Sequence, residues 1–186
     1  MKSPIKTITR STDIPNGYLE AIGGIALETA WIESSMVYLI SWIAFETPNR
    51  LQKAECLVGG ENFSVLLKKL EKLLLLTLRE DEKLIKRFND LKKRINHINS
   101  ARNEYLHSSW QSISDDIGSP LIVNKTKVKK DMNSKFEMRD EKTVSLDTIR
   151  AIWEEGKQVN KDFVRFSIVV LAIITKERKR GLRKSN

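Results

Sequence analysis

The sequence contains very little cysteine and histidine. Cys56 is the one cysteine, and His97 and His107 are the two histidines. A single thiol cannot form an internal disulfide, so we expect a reducing, cytoplasmic environment. The chain also lacks a His/Cys/carboxylate cluster with metal-ligand spacing, a phosphate-binding glycine loop and a hydrolase nucleophile elbow. We therefore expect no metal or other cofactor, and these nucleotide-binding and hydrolase classes are excluded.

Long uninterrupted hydrophobic runs are missing as well. The most apolar stretch, 22–45, contains Glu28 and Glu33, and the next, 163–174, is too short to span a bilayer and contains Arg165. The first residues lack the apolar core of a signal peptide. These features predict neither a membrane span nor a secretory leader.

Positive charge is abundant. The chain has 33 Lys and Arg against 24 Asp and Glu, a formal net charge of +9. Such a balance favours polyanionic partners, either nucleic acid or anionic lipid, without choosing between them. With 186 residues and 40% hydrophobic content, the chain can bury the core of a single domain over residues 1–186.

Apolar residues recur every three or four positions in most of the chain, which predicts helices. Residues 1–14 lack this pattern and are interpreted as an N-terminal arm, and 176–186 as a basic, frayed C-terminal tail. The predicted helices run from Pro15 to Thr47, from Arg50 to Val58, from Asn62 or Ser64 through Leu74, from Asp81 to Ser108, and from Ser145 or Asp147 through Val170.

The segment before the last helix has a different character. Residues 111–120 are polar and predict a loop, whereas 121–123 and 135–138 resemble short strands separated by a Lys- and Asn-rich turn. The expected fold is all-α: an antiparallel four- to five-helix bundle with a small β-hairpin or extended excursion before the last helix.

The fourth helix breaks its own apolar pattern. Its stripe of Leu84, Phe88, Leu91, Ile95 and Ile98 steps by three and four residues, and the next position holds Arg102. A guanidinium keeps its charge, and burying it unpaired is costly. Either an anionic group meets it, or the stripe opens there into a wet cleft.

Polar side chains border the stripe beside Arg102. At about 100° per residue, Asn96, Asn99, Asn103 and His107 form an arc on one side of the helix. Histidine transfers protons near neutral pH, and arginine stabilises charge on a phosphate with a planar fork of donors. The arc and Arg102 therefore place a proton-transfer group and an anion-binding group where both can reach one crevice beside the helix.

The run Arg102-Asn103-Glu104-Tyr105-Leu106-His107 resembles the R-N-x-x-x-H signature of the HEPN superfamily. The long first helix, Trp110 after the histidine and the excursion before the last helix are also similar to bacterial members. The resemblance covers the motif and the helical layout around it. It implies a helical, usually dimeric protein, and in many cases a metal-independent endoribonuclease of toxin–antitoxin, phage-defence or CRISPR-linked systems.

The resemblance also implies roles for the site residues. His107 would be the general base or acid, Arg102 would bind the scissile phosphate, and Asn103 would bind the phosphate or orient His107. Two subunits would contribute to one composite site, the products would carry a 2′,3′-cyclic phosphate, and an antitoxin, nucleotidyltransferase-like or other, is a possible partner. Glu33 is the expected carboxylate near Arg102.

Supporting residues are predicted on two further segments. Asn99 belongs to the polar arc, and a basic run could follow an RNA backbone, although a solvated lysine-rich hairpin is the favoured explanation of that run. This basic run consists of Lys125, Lys127, Lys129 and Lys130.

Three alternatives remain open. The chain could be a catalytically silent HEPN-like dimer that binds RNA or a protein. It could be a structural dimer in which the cluster is a polar network, with Arg102 paired to a carboxylate such as Glu33 or Glu28. Attachment to a membrane surface through the basic tail is the third.

Overall fold

The computed structural model describes residues 14–79, 81–112, 121–131 and 134–184, with side chains described over 14–79, 81–108, 110 and 142–180. These residues are mostly helical, which confirms the predicted helical class. The elements are α1 (Asn16–Ala44), α2 (Arg50–Val58), α3 (Phe63–Thr77), α4 (Glu82–Leu106), β1 (Ser109–Ser112), β2 (Leu121–Asp131), β3 (Ser134–Val144) and α5 (Leu146–Lys184).

The helix starts follow from local capping. The side chain of Asn62 accepts a hydrogen bond from the Val65 amide at 3.0 Å, which confirms Asn62 as a cap of α3. Asp81 accepts from the Leu84 amide at 3.0 Å, and the Ser145 hydroxyl accepts from the Thr148 amide at 3.2 Å. Each cap satisfies an amide that the first turn of a helix leaves without a partner.

The chain forms two compact units. The first contains the described residues of Met1–Ala26 and Ser100–Glu154, and the second contains Leu27–Asn99 and those of Glu155–Asn186. Helices α1, α4 and α5 contribute residues to both. The motif residues 102–107 belong to the first unit.

In the second unit, α4 packs antiparallel to α5. The rings of Phe88 and Phe166 lie 5.7 Å apart, and Arg94 Nη1 lies 2.9 Å from Asp162 Oδ2. Higher residue numbers on α4 therefore pair with lower residue numbers on α5. The core of this unit is built on fully buried Phe163, Phe166 and Ile95. Burying each such side chain contributes about 1.5–3 kcal/mol to folding.

The first and last helices run in the same direction. In the second unit, Asn160 donates to the Glu28 carboxylate at 3.0 Å and Arg178 donates to the Trp42 carbonyl at 2.9 Å. The α1–α5 pair is thus parallel within this unit, and the antiparallel arrangement of the whole bundle stays a prediction. Helix direction depends on how often the chain reverses between two elements, which periodicity does not reveal.

The first unit contains a three-stranded antiparallel sheet in the order β1-β2-β3. β2 and β3 pair from Leu121 opposite Val144 to Asp131 opposite Ser134. β1 begins directly after the motif, and Trp110 pairs with Val123. Residues 111–112 were predicted to be a loop. They belong to β1, which has only four residues and is too short to give a periodic signal in the sequence.

Helix α5 extends further than expected. It continues to Lys184, so most of the predicted frayed tail, 176–186, is helical. Lys, Arg and Glu favour helices, and Arg178 also lies 3.0 Å from the Glu46 carboxylate. The predicted arm, 1–14, lies outside the described residues except for Ile14. Among the described helices, none is both long and apolar enough to cross a membrane.

Candidate functional site

The motif occupies the C-terminal end of α4. Arg102 and Asn103 lie in its last turns, and the helix ends at Leu106. The His107 amide donates to the Asn103 carbonyl at 3.2 Å, so the backbone of His107 continues the helical hydrogen-bond pattern one residue beyond Leu106. Its side chain is exposed, while Arg102 is half-buried. An imidazole that reaches solvent can meet a substrate without a rearrangement of the core.

Four of the five residues of the apolar stripe that precedes the motif are buried as predicted, and Leu84 at its start is half-buried. Phe88, Leu91, Ile95 and Ile98 are at most 4% exposed. Tyr105, the next aromatic on the stripe, is 3% exposed and belongs to the core. Arg102 thus lies between buried residues on its own helix face, with its side chain at the boundary between core and solvent.

Arg102 and Asn103 form a side-chain pair. The guanidinium Nη1 donates to Asn103 Oδ1 at 3.2 Å. The expected roles of Asn103 were to bind phosphate or to orient His107. The hydrogen bond to Arg102 is an additional contact that the motif did not predict. The bond uses the amide oxygen of Asn103, so its two N–H donors can still face an anion.

Two contacts close the end of the helix after the motif. The Trp110 indole donates to the Tyr105 carbonyl at 3.0 Å, and the Ser108 hydroxyl donates to the Glu104 carbonyl. The last carbonyls of a helix have no intrahelical partner, and these side chains satisfy two of them. Trp110 therefore fixes the point at which the chain leaves α4 beside His107.

Aromatic packing anchors Trp110 in turn. Its ring lies 5.8 Å from that of Tyr105 and 6.3 Å from that of Tyr18. The Tyr18 hydroxyl donates to the Val144 carbonyl at 3.4 Å. Such aromatic pairs contribute about 0.5–1.5 kcal/mol beyond the area they bury. The cluster links α1, the motif turn and the end of β3 within the first unit.

An ion pair brings a second cation to the motif turn. Lys142 of β3 lies 3.2 Å from the Glu104 carboxylate. The pair is partly exposed, so it contributes at most about 1 kcal/mol to stability. The pairing of Lys142 with Glu104 could not be predicted from the sequence, because it depends on the fold and leaves no local pattern. Trp110, three positions after His107, was the one sequence feature that pointed to packing around this turn.

Burial raises the pKa of the Tyr105 hydroxyl, and the nearby Glu104 carboxylate raises it further. Folding therefore favours the protonated phenol. The free energy of unfolding should not depend on this group well below pH 10, and it should fall as the pH rises past the ordinary tyrosine value of about 10.

We expect Tyr105→Phe to remove this alkaline sensitivity. Between pH 10 and 11 the stability of the wild type should fall more steeply than that of the variant, by up to about 1.4 kcal/mol per pH unit. Urea unfolding at pH 8, 10 and 11 measures the difference. Tyr38→Phe, at an exposed tyrosine, is the control for the loss of one tyrosine hydroxyl. Parallel curves for the wild type and Tyr105→Phe would contradict the assignment.

The two supporting residues predicted near the motif both belong to the second unit. Asn99 is 7% exposed, and its Oδ1 has no hydrogen-bond partner among the described residues. An unpaired buried acceptor costs about 1–3 kcal/mol. Glu33 is half-exposed on α1, and its approach to Arg102 stays a prediction. Glu28, the other carboxylate considered for Arg102, accepts from Asn160.

The predicted RNA-binding lysines all lie on β2. In the strand register Lys125 is opposite Asp140, Lys127 opposite Met138, Lys129 opposite Phe136 and Lys130 opposite Lys135. Their side chains lie outside the part that the structure describes. Within the described residues, no group of three or more His, Cys, Asp or Glu side chains is placed so that it could hold a metal ion.

Comparison of the sequence and the fold with known proteins gave no matching family model, no similar curated protein and no similar solved structure.

Proposed function

We propose that the protein is a metal-independent endoribonuclease of the HEPN type. The observation that carries the proposal is the pairing of Arg102 with Asn103 at the end of α4, with exposed His107 directly after it. This end of the helix combines a fixed charge, amide donors and a proton-transfer group within about one turn. These are the groups that transesterification of RNA requires.

The reaction begins at the ribose 2′-hydroxyl. His107 takes its proton, and the 2′-oxygen forms a bond to the adjacent phosphorus. The bond from phosphorus to the 5′-oxygen breaks, and that oxygen leaves with a proton from an acidic group. The products are a 2′,3′-cyclic phosphate and a 5′-hydroxyl, so no water or metal takes part in this step.

Arg102 stabilises the phosphorane-like transition state through its guanidinium. Charge-assisted hydrogen bonds to phosphate are roughly twice as strong as neutral ones. Asn103 holds the guanidinium through its Oδ1 and presents its N–H donors to the same phosphate. By the HEPN resemblance, the chain forms a homodimeric helical bundle in which a second copy completes the site and its histidine supplies the leaving-group proton.

The biological setting is part of the same proposal. A ribonuclease of this type acts in the cytoplasm, in a toxin–antitoxin or phage-defence system, with an antitoxin protein as its partner. The alternative is a catalytically silent dimer in which Arg102, Asn103 and His107 form a structural polar network. The Arg102–Asn103 hydrogen bond fits that alternative too, so cleavage of RNA decides between them.

The test uses the nucleophile of the substrate. We expect the protein to cut a single-stranded RNA in excess EDTA and to leave a cyclic phosphate on the upstream product, identified by mass spectrometry. An oligonucleotide of the same sequence with 2′-deoxy residues throughout should remain intact. Cleavage of the deoxy strand, or activity that disappears in EDTA, would refute the mechanism.

A further inference from the structure

A basic groove lies along α4 in the second unit, on the part of the helix that precedes the motif. Its volume is about 440 Å³. Helix α4 supplies most of its wall and α5 supplies one residue. Its charged lining residues are Lys83, Lys86, Arg87, Asp90, Arg94 and Asp162.

The acidic residues of the groove already have cationic partners. Asp162 accepts from Arg94 at 2.9 Å and from Gln158 at 3.0 Å. These hydrogen bonds, that of Arg94 first, hold the pKa of Asp162 below its usual range, so the carboxylate stays ionised and keeps Arg94 in place. Asp90 lies 3.6 Å from Lys93 on the next turn of α4.

Three cations therefore remain to give the groove its charge. Lys83, Lys86 and Arg87 are all exposed, and Lys86 and Arg87 lie three and four residues after Lys83. Together with Arg94 they extend along about 16 Å of the helix axis. The result is a row of positive charge and not a single anion pocket.

Apolar surface is scarce in the groove. Among the described residues that line it, Leu91 is the one apolar side chain, and it is 4% exposed. Protein partners anchor on aromatic and aliphatic side chains, and membrane surfaces require apolar groups that insert. A polar, strongly positive surface is typical of nucleic-acid interfaces.

We propose that this groove binds the phosphodiester backbone of a single RNA strand, outside the catalytic motif. Lys83, Lys86 and Arg87 contact successive phosphates, and the Arg94–Asp162 pair fixes the wall of the groove. Because no aromatic side chain lines it among the described residues, bases are not stacked there and binding does not depend on sequence. The choice of RNA over DNA rests on the proposed function, whereas backbone binding itself does not.

Salt dependence gives the proposal a number. Each phosphate that a lysine neutralises on a single strand contributes about −0.7 to the slope of log K against log salt. Removing two such contacts should lower the steepness of the slope by about 1.4 and weaken binding at 0.1 M salt by about 25-fold.

The experiment compares two double variants of equal charge. Lys83→Gln/Lys86→Gln removes two groove lysines, and Lys68→Gln/Lys72→Gln removes two exposed lysines of α3. Each is made in the full chain with His107→Ala, and fluorescence anisotropy follows a labelled single-stranded RNA from 50 to 300 mM salt. We expect the groove variant to lose affinity and slope as above, and the α3 variant to bind like its parent.

Two further arms separate other ligands. A single-stranded DNA of the same sequence should show the same loss in the groove variant, because the contacts are to phosphates. Vesicles with 30% anionic lipid should not compete with the RNA. Equal affinity and slope in both double variants, or competition by the vesicles, would overturn the groove proposal. If wild-type protein fails to cut RNA but the groove variant still loses binding, the proposed catalytic function alone is wrong.

Discussion

His107→Ala is expected to slow RNA cleavage by about 10²–10⁴-fold, the usual contribution of a positioned acid–base group. The reason is that histidine is the side chain suited to proton transfer near neutral pH, whereas Arg102 remains charged and amides such as Asn103 do not titrate. The Glu104 carboxylate is paired with Lys142. The measurement is the single-turnover rate on a labelled RNA in EDTA, with enzyme in excess.

The chain provides its own control for this variant. His97 is the second histidine and lies on α4, ten residues before His107. Its imidazole is exposed, and its Nε2 lies 3.6 Å from the Glu155 carboxylate. His97→Ala should cleave at close to the wild-type rate. Thermal melts and light scattering on all three proteins show whether folding or assembly has changed.

The result also separates catalysis from a structural role. If the motif is only a polar network, His107→Ala lowers the stability of the assembly and leaves RNA unaffected. Undiminished cleavage by His107→Ala would exclude the acid–base assignment, and equal losses in His97→Ala and His107→Ala would point to a general effect on folding.

Two neighbouring glycines of α1 should respond to alanine with opposite signs. At Gly24 an added Cβ would overlap the ring of Trp153 on α5, whereas at Gly23 nothing lies within 4 Å. A clash with a large ring forces the two helices apart, and we expect Gly24→Ala to destabilise the protein by about 3 kcal/mol. Gly23→Ala should stabilise it by about 1 kcal/mol, since alanine favours a helix interior over glycine.

Urea unfolding at constant pH measures both variants against the wild type. The comparison is well matched, because the substitution, the helix and the change in the unfolded chain are the same. The difference of about 4 kcal/mol therefore reports the contact with Trp153. Equal stability of the two variants would contradict the close approach of α1 and α5 at Gly24.

Much of the helical framework could be predicted from the sequence. The predicted boundaries 50–58 coincide with α2, and Asn62 caps α3. Ser145, one of two residues considered, caps α5. Helices are predictable because their hydrogen bonds and caps join residues three or four positions apart. Two features could not be read from periodicity: α5 continues to Lys184, through most of the predicted tail, and α1 runs parallel to it.

The site was predictable in part for the same reason. The break in the apolar stripe at Arg102 is visible in the spacing of α4 alone. The pair of Lys142 with Glu104 and the cap from Trp110 were missed, because the first joins residues 38 positions apart and the second crosses from β1 to the helix end. The basic groove was not predicted either, because the expected RNA contacts were placed on the basic run Lys125 to Lys130.

The sequence by itself determined where the helices begin, which faces are buried and which six residues carry the candidate chemistry. All of these depend on neighbours within one or two turns. The tertiary structure decided which side chains meet, such as Arg94 with Asp162 and Lys142 with Glu104, and where backbone comes close to a ring, as at Gly24 and Trp153. These contacts join positions far apart in the chain, so their free energies depend on packing that local patterns do not encode.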